Sequence, residues 1–246
     1  MPMHDWTRVD PNDYHDFDGS WIFAVRHALN NGVLPSGYFA LAEHTVPPFV
    51  PDVVTLSIPD DPPRGVGTHS GSAVADYPKS AIVLTETGKR IRPPGRRRVV
   101  VQHAKNRQIV AVIELVSPSN KEKKPEFADL LGKTVLLLRQ GIHVLIIDPF
   151  PPTRRDPNGI HASIWKELTG KPFTPPENKP LTLASYVALG ANTFTAIVEP
   201  LAVGDPIPTM PLFLTDEFRV PVPLESTYEV AMSGFPAPLR AIVEGR

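Results

Sequence analysis

The chain of 246 residues contains no cysteine. This absence excludes disulfides, thiolate zinc sites and a cysteine nucleophile, and it is typical of a protein of the reducing cytosol. An excess of charge of one sign is also missing, since 25 Lys and Arg face 26 Asp and Glu, for a net charge of -1. Non-specific nucleic-acid binders usually carry a basic excess, so any nucleic-acid contact must come from a local patch.

The sequence also lacks long apolar runs and nucleotide-binding fingerprints. The most apolar stretch, residues 134–147, is interrupted by polar residues and is shorter than a bilayer span. The first six residues are polar and do not resemble a signal peptide. No P-loop, no G-x-G-x-x-G motif and no nucleophile elbow around Ser117 is present. We therefore expect a cytoplasmic protein with no membrane contact and no nucleotide cofactor.

Proline, by contrast, is abundant, at 30 residues, where average usage gives about 12. Proline belongs in loops and at the ends of elements. We predict one domain with an α/β core (19–150) that carries a loop insertion (59–97) and a Pro-rich C-terminal extension packed on that core (151–246). The first 18 residues, rich in His, Asp and aromatics, predict an ordered N-terminal arm rather than a helix.

Hydrophobic periodicity and turn residues predict the secondary structure. The predicted elements up to residue 150 are a helix at 20–31, strands at 38–46, 52–58, 80–85, 98–104 and 108–117, a helix at 125–140 and a strand at 142–147. Beyond residue 150 we expect strands at 162–167 and 194–201 and helices at 224–233 and 239–244. The strand–helix–strand unit at 108–148 should be a right-handed parallel crossover.

Three charged residues are candidates for chemistry. Glu114 interrupts an almost continuously apolar strand, where an unpaired carboxylate is costly; the alternative is a structural ion pair with an Arg or Lys. Asp52 follows Pro51 at a predicted strand entry, where local backbone capping is the alternative. Lys133 lies in the next helix, where an exposed i,i+4 pair with Asp129 is the alternative.

The motifs around these residues resemble the PD-(D/E)XK nuclease superfamily. The Pro51-Asp52 pair, the strand end ELVSPSN and a helical lysine before GIHVLIIDP are similar to Uma-type members of that superfamily. The same runs, with the opening MPMHDWTRVD, resemble an uncharacterised bacterial family, domain of unknown function 4058.

The resemblance implies a restriction-endonuclease-like core: a helix, a mixed β-sheet, a crossover helix and a strand. It also implies a Mg²⁺-dependent phosphodiesterase acting on nucleic acid. Asp52 and Glu114 would hold the metal with the Leu115 carbonyl, and Lys133 would assist catalysis. Ser117, Ser119 and Lys121 would contact phosphate oxygens.

The usual lysine two residues after the glutamate is Val116 here, so catalysis depends on Lys133. The alternative is a catalytically inactive relative that keeps the fold and serves as a binding or partner-interaction module. The sequence is compatible with a homodimer but does not specify an oligomeric state.

Overall fold

The computed structural model describes residues 1–43, 82–87, 98–190 and 192–245. The helices are α1 (Pro11–Ala28), α2 (Pro118–Glu122), α3 (Lys124–Arg139), α4 (Gly159–Thr169), α5 (Leu224–Gly234) and α6 (Ala237–Val243), with a 3-10 turn at Trp6–Arg8 and a π-helical turn at Leu29–Val33. The strands are β1 (Tyr38–Glu43), β2 (Ile82–Thr87), β3 (Arg98–His103), β4 (Ile109–Leu115), β5 (His143–Asp148), β6 (Leu181–Ala188), β7 (Thr193–Leu201), β8 (Met210–Phe213) and β9 (Arg219–Val222).

A mixed sheet organises the fold. Within the described residues, seven strands are ordered β1-β3-β4-β5-β6-β7-β2, and only β4 and β5 run parallel. Helices α2 and α3 connect these two strands, which confirms the predicted parallel crossover of residues 108–148. The predicted α/β class is therefore confirmed.

Alternation along the strands gives the sheet two buried faces. Val99, Ile113 and Leu145 lie in one hydrophobic cluster, together with α1, α5 and the separate β8–β9 hairpin. The neighbouring positions Val100 and Val112 lie in a second cluster, which α3 and α4 cover. Because side chains alternate along a strand, any residue between two members of the first cluster faces the helices of the second.

The N-terminal segment is more helical than its composition suggested. Residues 11–18 belong to α1, so the prediction that residues 1–18 form a non-helical arm was wrong. Asp10 is the N-cap of the helix: its side chain accepts a hydrogen bond from the Asn12 amide, and Pro11 lies in the first turn. This is a regular helix start, because proline has no amide to leave unsatisfied there.

The aromatic residues of this segment form the centre of the first cluster. Trp6 and Phe17 have ring centroids 4.1 Å apart, and Tyr228 of α5 packs against both. Tyr228 Oη also accepts a hydrogen bond from Trp6 Nε1 at 3.1 Å. The segment is thus anchored by the C-terminal part of the chain.

The C-terminal third contains a second error of prediction. Residues 162–167, predicted as a strand, lie within helix α4. The strand predicted at 194–201 and the helices predicted at 224–233 and 239–244 are confirmed as β7, α5 and α6. Strand β6 was not predicted, yet it pairs with β5 and with β7 inside the central sheet. Strands β6 and β7 are therefore an integral part of that sheet.

Candidate functional site

Glu114 occupies the penultimate position of β4, close to where β4 and β5 end side by side. Its neighbours Ile113 and Leu115 belong to the first cluster, so the carboxylate points to the face that α3 covers. The side chain is buried, at 3% exposure. A carboxylate in this position needs hydrogen-bond or ion-pair partners, because burial disfavours its ionised form.

Arg98 is one such partner of Glu114. It lies one residue beyond the Val99–Ile113 pair of the β3–β4 ladder, which places it across from Glu114 on the same face. One terminal guanidinium nitrogen is 3.8 Å from Glu114 Oε1, and both side chains are about 5% exposed or less. The structure thus contains the buried ion pair that was the alternative interpretation of Glu114.

Lys133 is buried in α3, at 5% exposure. It lies between Leu130 and Leu137 along the helix, and both leucines pack into the cluster on the α3 side of the sheet. This burial does not fit the alternative interpretation of Lys133, an exposed pair with Asp129. Lys133 and Glu114 therefore lie on the same side of the sheet, in helix α3 and strand β4 of one crossover unit.

Ser117 and Ser119 follow β4 and begin the short helix α2. Asn120 Oδ1 accepts hydrogen bonds from the Ser117 amide at 2.9 Å and from the Ser117 hydroxyl at 2.8 Å. The two serine hydroxyl oxygens lie 3.0 Å apart. This local network orders the chain where it leaves β4, and both serines remain partly exposed.

Lys121, the third predicted phosphate contact, is enclosed by oxygen atoms of its own chain. Its Nζ donates hydrogen bonds to Asp148 Oδ2 at 2.6 Å and to the Phe150 carbonyl at 2.9 Å, and it lies 2.9 Å from Asp156 Oδ2. Its exposure is 1%. Two hydrogen bonds and one further ionic contact hold the ammonium group, so this lysine connects α2 to the chain segment after β5.

The charge balance of this cluster affects Asp148. Burial, with a smaller contribution from neighbouring Asp156, raises the pKa of Asp148 to about 6, although Lys121 opposes the shift. The pKa shift is upward because two buried carboxylates share one ammonium group. The second carboxylate is held by Thr153, whose amide and hydroxyl donate to Asp156 Oδ1 at 2.8 and 2.6 Å.

Asp52, the other predicted metal ligand, lies outside the described residues, as does the strand predicted at 52–58. Among the residues that are described, no group of three His, Asp or Glu side chains is arranged to hold a metal ion. The donors present do suit Mg²⁺ in type, since the Glu114 carboxylate and the Leu115 carbonyl are hard oxygen ligands. A second carboxylate is needed to complete the set, and Arg98 opposes a cation beside Glu114.

Comparison with known proteins gives no match: no family model, no curated protein and no solved structure matches this chain. No helix of the described residues is long and apolar enough to cross a membrane.

Sequence reasoning missed three members of the site. Arg98 was predicted only as the first residue of the strand at 98–104, although its position two residues before buried Val100 gives it the same side of that strand. Asp148 and Asp156 lie about 30 residues beyond Lys121, and no local pattern connects residues at that separation. Only the fold brings them together.

Proposed function

We propose that this chain is a metal-dependent phosphodiesterase of the nuclease type, acting on nucleic acid in the cytoplasm. The observation that carries the proposal is the burial of Glu114 and Lys133 on one side of the sheet within the β4–α3–β5 unit. Oppositely charged, buried titratable groups on neighbouring elements are more common at functional sites than elsewhere. The motif resemblance assigns the same two residues to metal binding and catalysis.

The coarse architecture supports the proposal. Apart from β2, which pairs at the far edge of the sheet, and the short helix α2, the chain order is a helix (α1), antiparallel strands (β1, β3 and β4), a crossover helix (α3) and a parallel strand (β5). This is the order of elements that a PD-(D/E)XK core requires. Fold alone does not establish an activity, so the assignment depends on the site.

The chemistry assigns one task to each residue. Glu114 and Asp52 would hold Mg²⁺, which polarises a phosphodiester and lowers the pKa of bound water. Lys133, a cation in a low-dielectric setting, would orient the attacking water or stabilise charge developing on the phosphoryl oxygens. Ser117 and Ser119, partly exposed beside the end of β4, would donate hydrogen bonds to the phosphate. Lys121 is already surrounded by protein oxygens and instead holds α2 in place.

A cleavage assay tests this function. Purified protein with Mg²⁺ or Mn²⁺ should nick supercoiled DNA or cut RNA, and chelation should stop the reaction. Glu114→Gln and Lys133→Met should each lower the rate at least about a hundredfold, because each removes a charge and keeps most of the side-chain volume.

Two control variants distinguish loss of a catalytic group from a general disturbance of the fold. Glu199→Gln changes a buried carboxylate of β7, which faces the other side of the sheet because its partner Leu183 belongs to the first cluster. Lys124→Met changes an exposed lysine of α3. Both controls should keep the wild-type rate, and circular dichroism should show that every variant is folded. Wild-type protein that cuts neither DNA nor RNA with either metal contradicts the proposal.

The second candidate is a catalytically inactive nuclease-fold protein that serves as a binding or partner-interaction module. The 3.8 Å approach of Arg98 to Glu114 favours it, because a guanidinium beside the key carboxylate opposes a metal ion. This candidate predicts no divalent-metal binding by calorimetry. It also predicts an unchanged or raised melting temperature in Asp52→Asn, because a carboxylate that binds no metal can be replaced by a neutral amide without loss.

A further inference from the structure

Arg98 is a buried guanidinium that has few polar partners in the part of the chain that the structure describes. Its side chain is 5% exposed, and within the described part of the chain its polar contact is the one with Glu114 at 3.8 Å. That separation is longer than an N–H···O hydrogen bond. Its Nε is fully buried and has no hydrogen-bond partner among the described residues. A guanidinium offers five N–H donors, so among the described residues most of its binding capacity is unused.

The guanidinium geometry indicates what would use that capacity. A buried charged donor is stable only when it is paired and hydrogen-bonded, and one carboxylate at 3.8 Å satisfies that requirement in part. The planar fork of arginine fits two oxygens of one tetrahedral anion, and phosphate is the common partner for such a fork. An oxyanion beside Arg98 would supply the missing acceptors.

The position of Arg98 beside Glu114 indicates which phosphate-containing ligand it would bind. It is the first residue of β3, directly across from Glu114 near the end of β4, so an anion held there lies beside the carboxylate to which the proposed function assigns the metal. We propose that Arg98 binds a phosphodiester oxygen of a nucleic-acid strand at this site. The identity of the ligand as nucleic acid rests on the proposed function, whereas the anion site rests on the geometry of Arg98.

The test measures binding in EDTA, where no metal-dependent cleavage occurs. Calorimetry or fluorescence anisotropy measures binding of two DNA probes, a short duplex and a single strand of the same length. Calorimetry measures binding of inorganic phosphate. Wild-type protein should bind at least one of the two DNA probes. Arg98→Lys, which keeps the charge and loses the fork, should weaken that binding at least about tenfold.

Two further variants keep the test decisive. Arg98→Met leaves Glu114 buried without the arginine and is prone to misfold, so the double variant Arg98→Met with Glu114→Gln removes both charges together. The double variant should be folded and should bind DNA as weakly as Arg98→Lys or more weakly. Arg154→Met, at an exposed arginine of the loop after β5, is the matched control and should bind like the wild type.

The outcomes separate the two proposals. Arg98-dependent DNA binding in a protein that never cleaves supports the anion site and overturns the phosphodiesterase. Metal-dependent cleavage with unchanged DNA binding in Arg98→Lys supports the enzyme and overturns the anion site. Binding of inorganic phosphate alone overturns the phosphodiester assignment, and binding of none of the probes overturns the anion site altogether.

Discussion

Lys121 and Asp148 form a buried ion pair, with Nζ 2.6 Å from Oδ2 and both side chains 1% exposed. The lysine belongs to α2, directly after β4, and the aspartate ends β5. Asp156, from the following loop, lies 2.9 Å from the same ammonium. This cluster fixes the carboxyl ends of the two parallel strands relative to each other, and Glu114 lies at that end of the sheet.

Replacing the cation of this cluster should be costly. In Lys121→Met, two buried carboxylates lose the ammonium they share, and breaking a buried pair typically costs about 3–5 kcal/mol. Urea unfolding should show a free energy of unfolding lowered by about that amount. Lys124→Met, at an exposed site of the neighbouring helix, should change it by less than about 0.5 kcal/mol. A loss below about 1 kcal/mol in Lys121→Met would mean that the pair contributes little.

The raised pKa of Asp148 should produce a pH dependence of stability. The folded pKa is about 6, whereas the ordinary value is 3.8. The folded state therefore holds the proton more tightly, and the stability contributed by this carboxyl is greatest below pH 4 and is lost as the pH rises through about 6. The difference in unfolding free energy between wild type and Asp148→Asn should fall as the pH rises through this window. A difference that grows with pH contradicts the direction of the shift.

His161 should stay neutral across the physiological range. Its Nδ1 lies 2.6 Å from Tyr186 Oη, both side chains are buried, and burial lowers the pKa of His161 to about 3. Because the folded pKa is below the ordinary 6.5, its stability contribution is complete above pH 6.5 and is lost as the pH falls toward 3. Imidazole ¹⁵N shifts, assigned with His161→Phe, should not titrate between pH 5 and 8. A midpoint above pH 6 would show that the ring is hydrated.

Local sequence patterns were sufficient to predict those helices and strands whose hydrophobic periodicity agrees with the way they are buried. The apolar runs of β4 and β5 and the amphipathic α3 were predicted within one or two residues, because periodicity and the breaks at Lys105–Arg107 and Gly141 coincide with the real ends. Gly141 adopts a φ of 78°, a conformation that ends a helix and that glycine reaches without strain.

The errors arose where tertiary packing decided the outcome. The apolar residues of α4 were interpreted as a strand, although Ile160, Ile164 and Leu168 follow a helical four-residue spacing and form its buried side. The start of α1 could have been identified from Asp10 and Pro11, an N-cap followed by a proline in the first turn.

Within the candidate site, the burial of Glu114 was predictable because its strand is almost continuously apolar, so both faces of the strand are expected to be buried. The partners were not predictable. Arg98 reaches Glu114 through strand pairing, and Asp148 and Asp156 reach Lys121 through the crossover, so both sets depend on long-range geometry.

Binding of Mn²⁺, measured by calorimetry or electron paramagnetic resonance, tests the proposed metal site most directly. We expect a saturable Mn²⁺ site in the wild type that Mg²⁺ displaces, with affinity at least about tenfold weaker in Glu114→Gln and unchanged in Glu199→Gln. The same weakening is expected in Asp52→Asn. Wild-type protein that binds no Mn²⁺, or that binds it as well after Glu114→Gln as before, would contradict the assignment of Glu114 as a metal ligand.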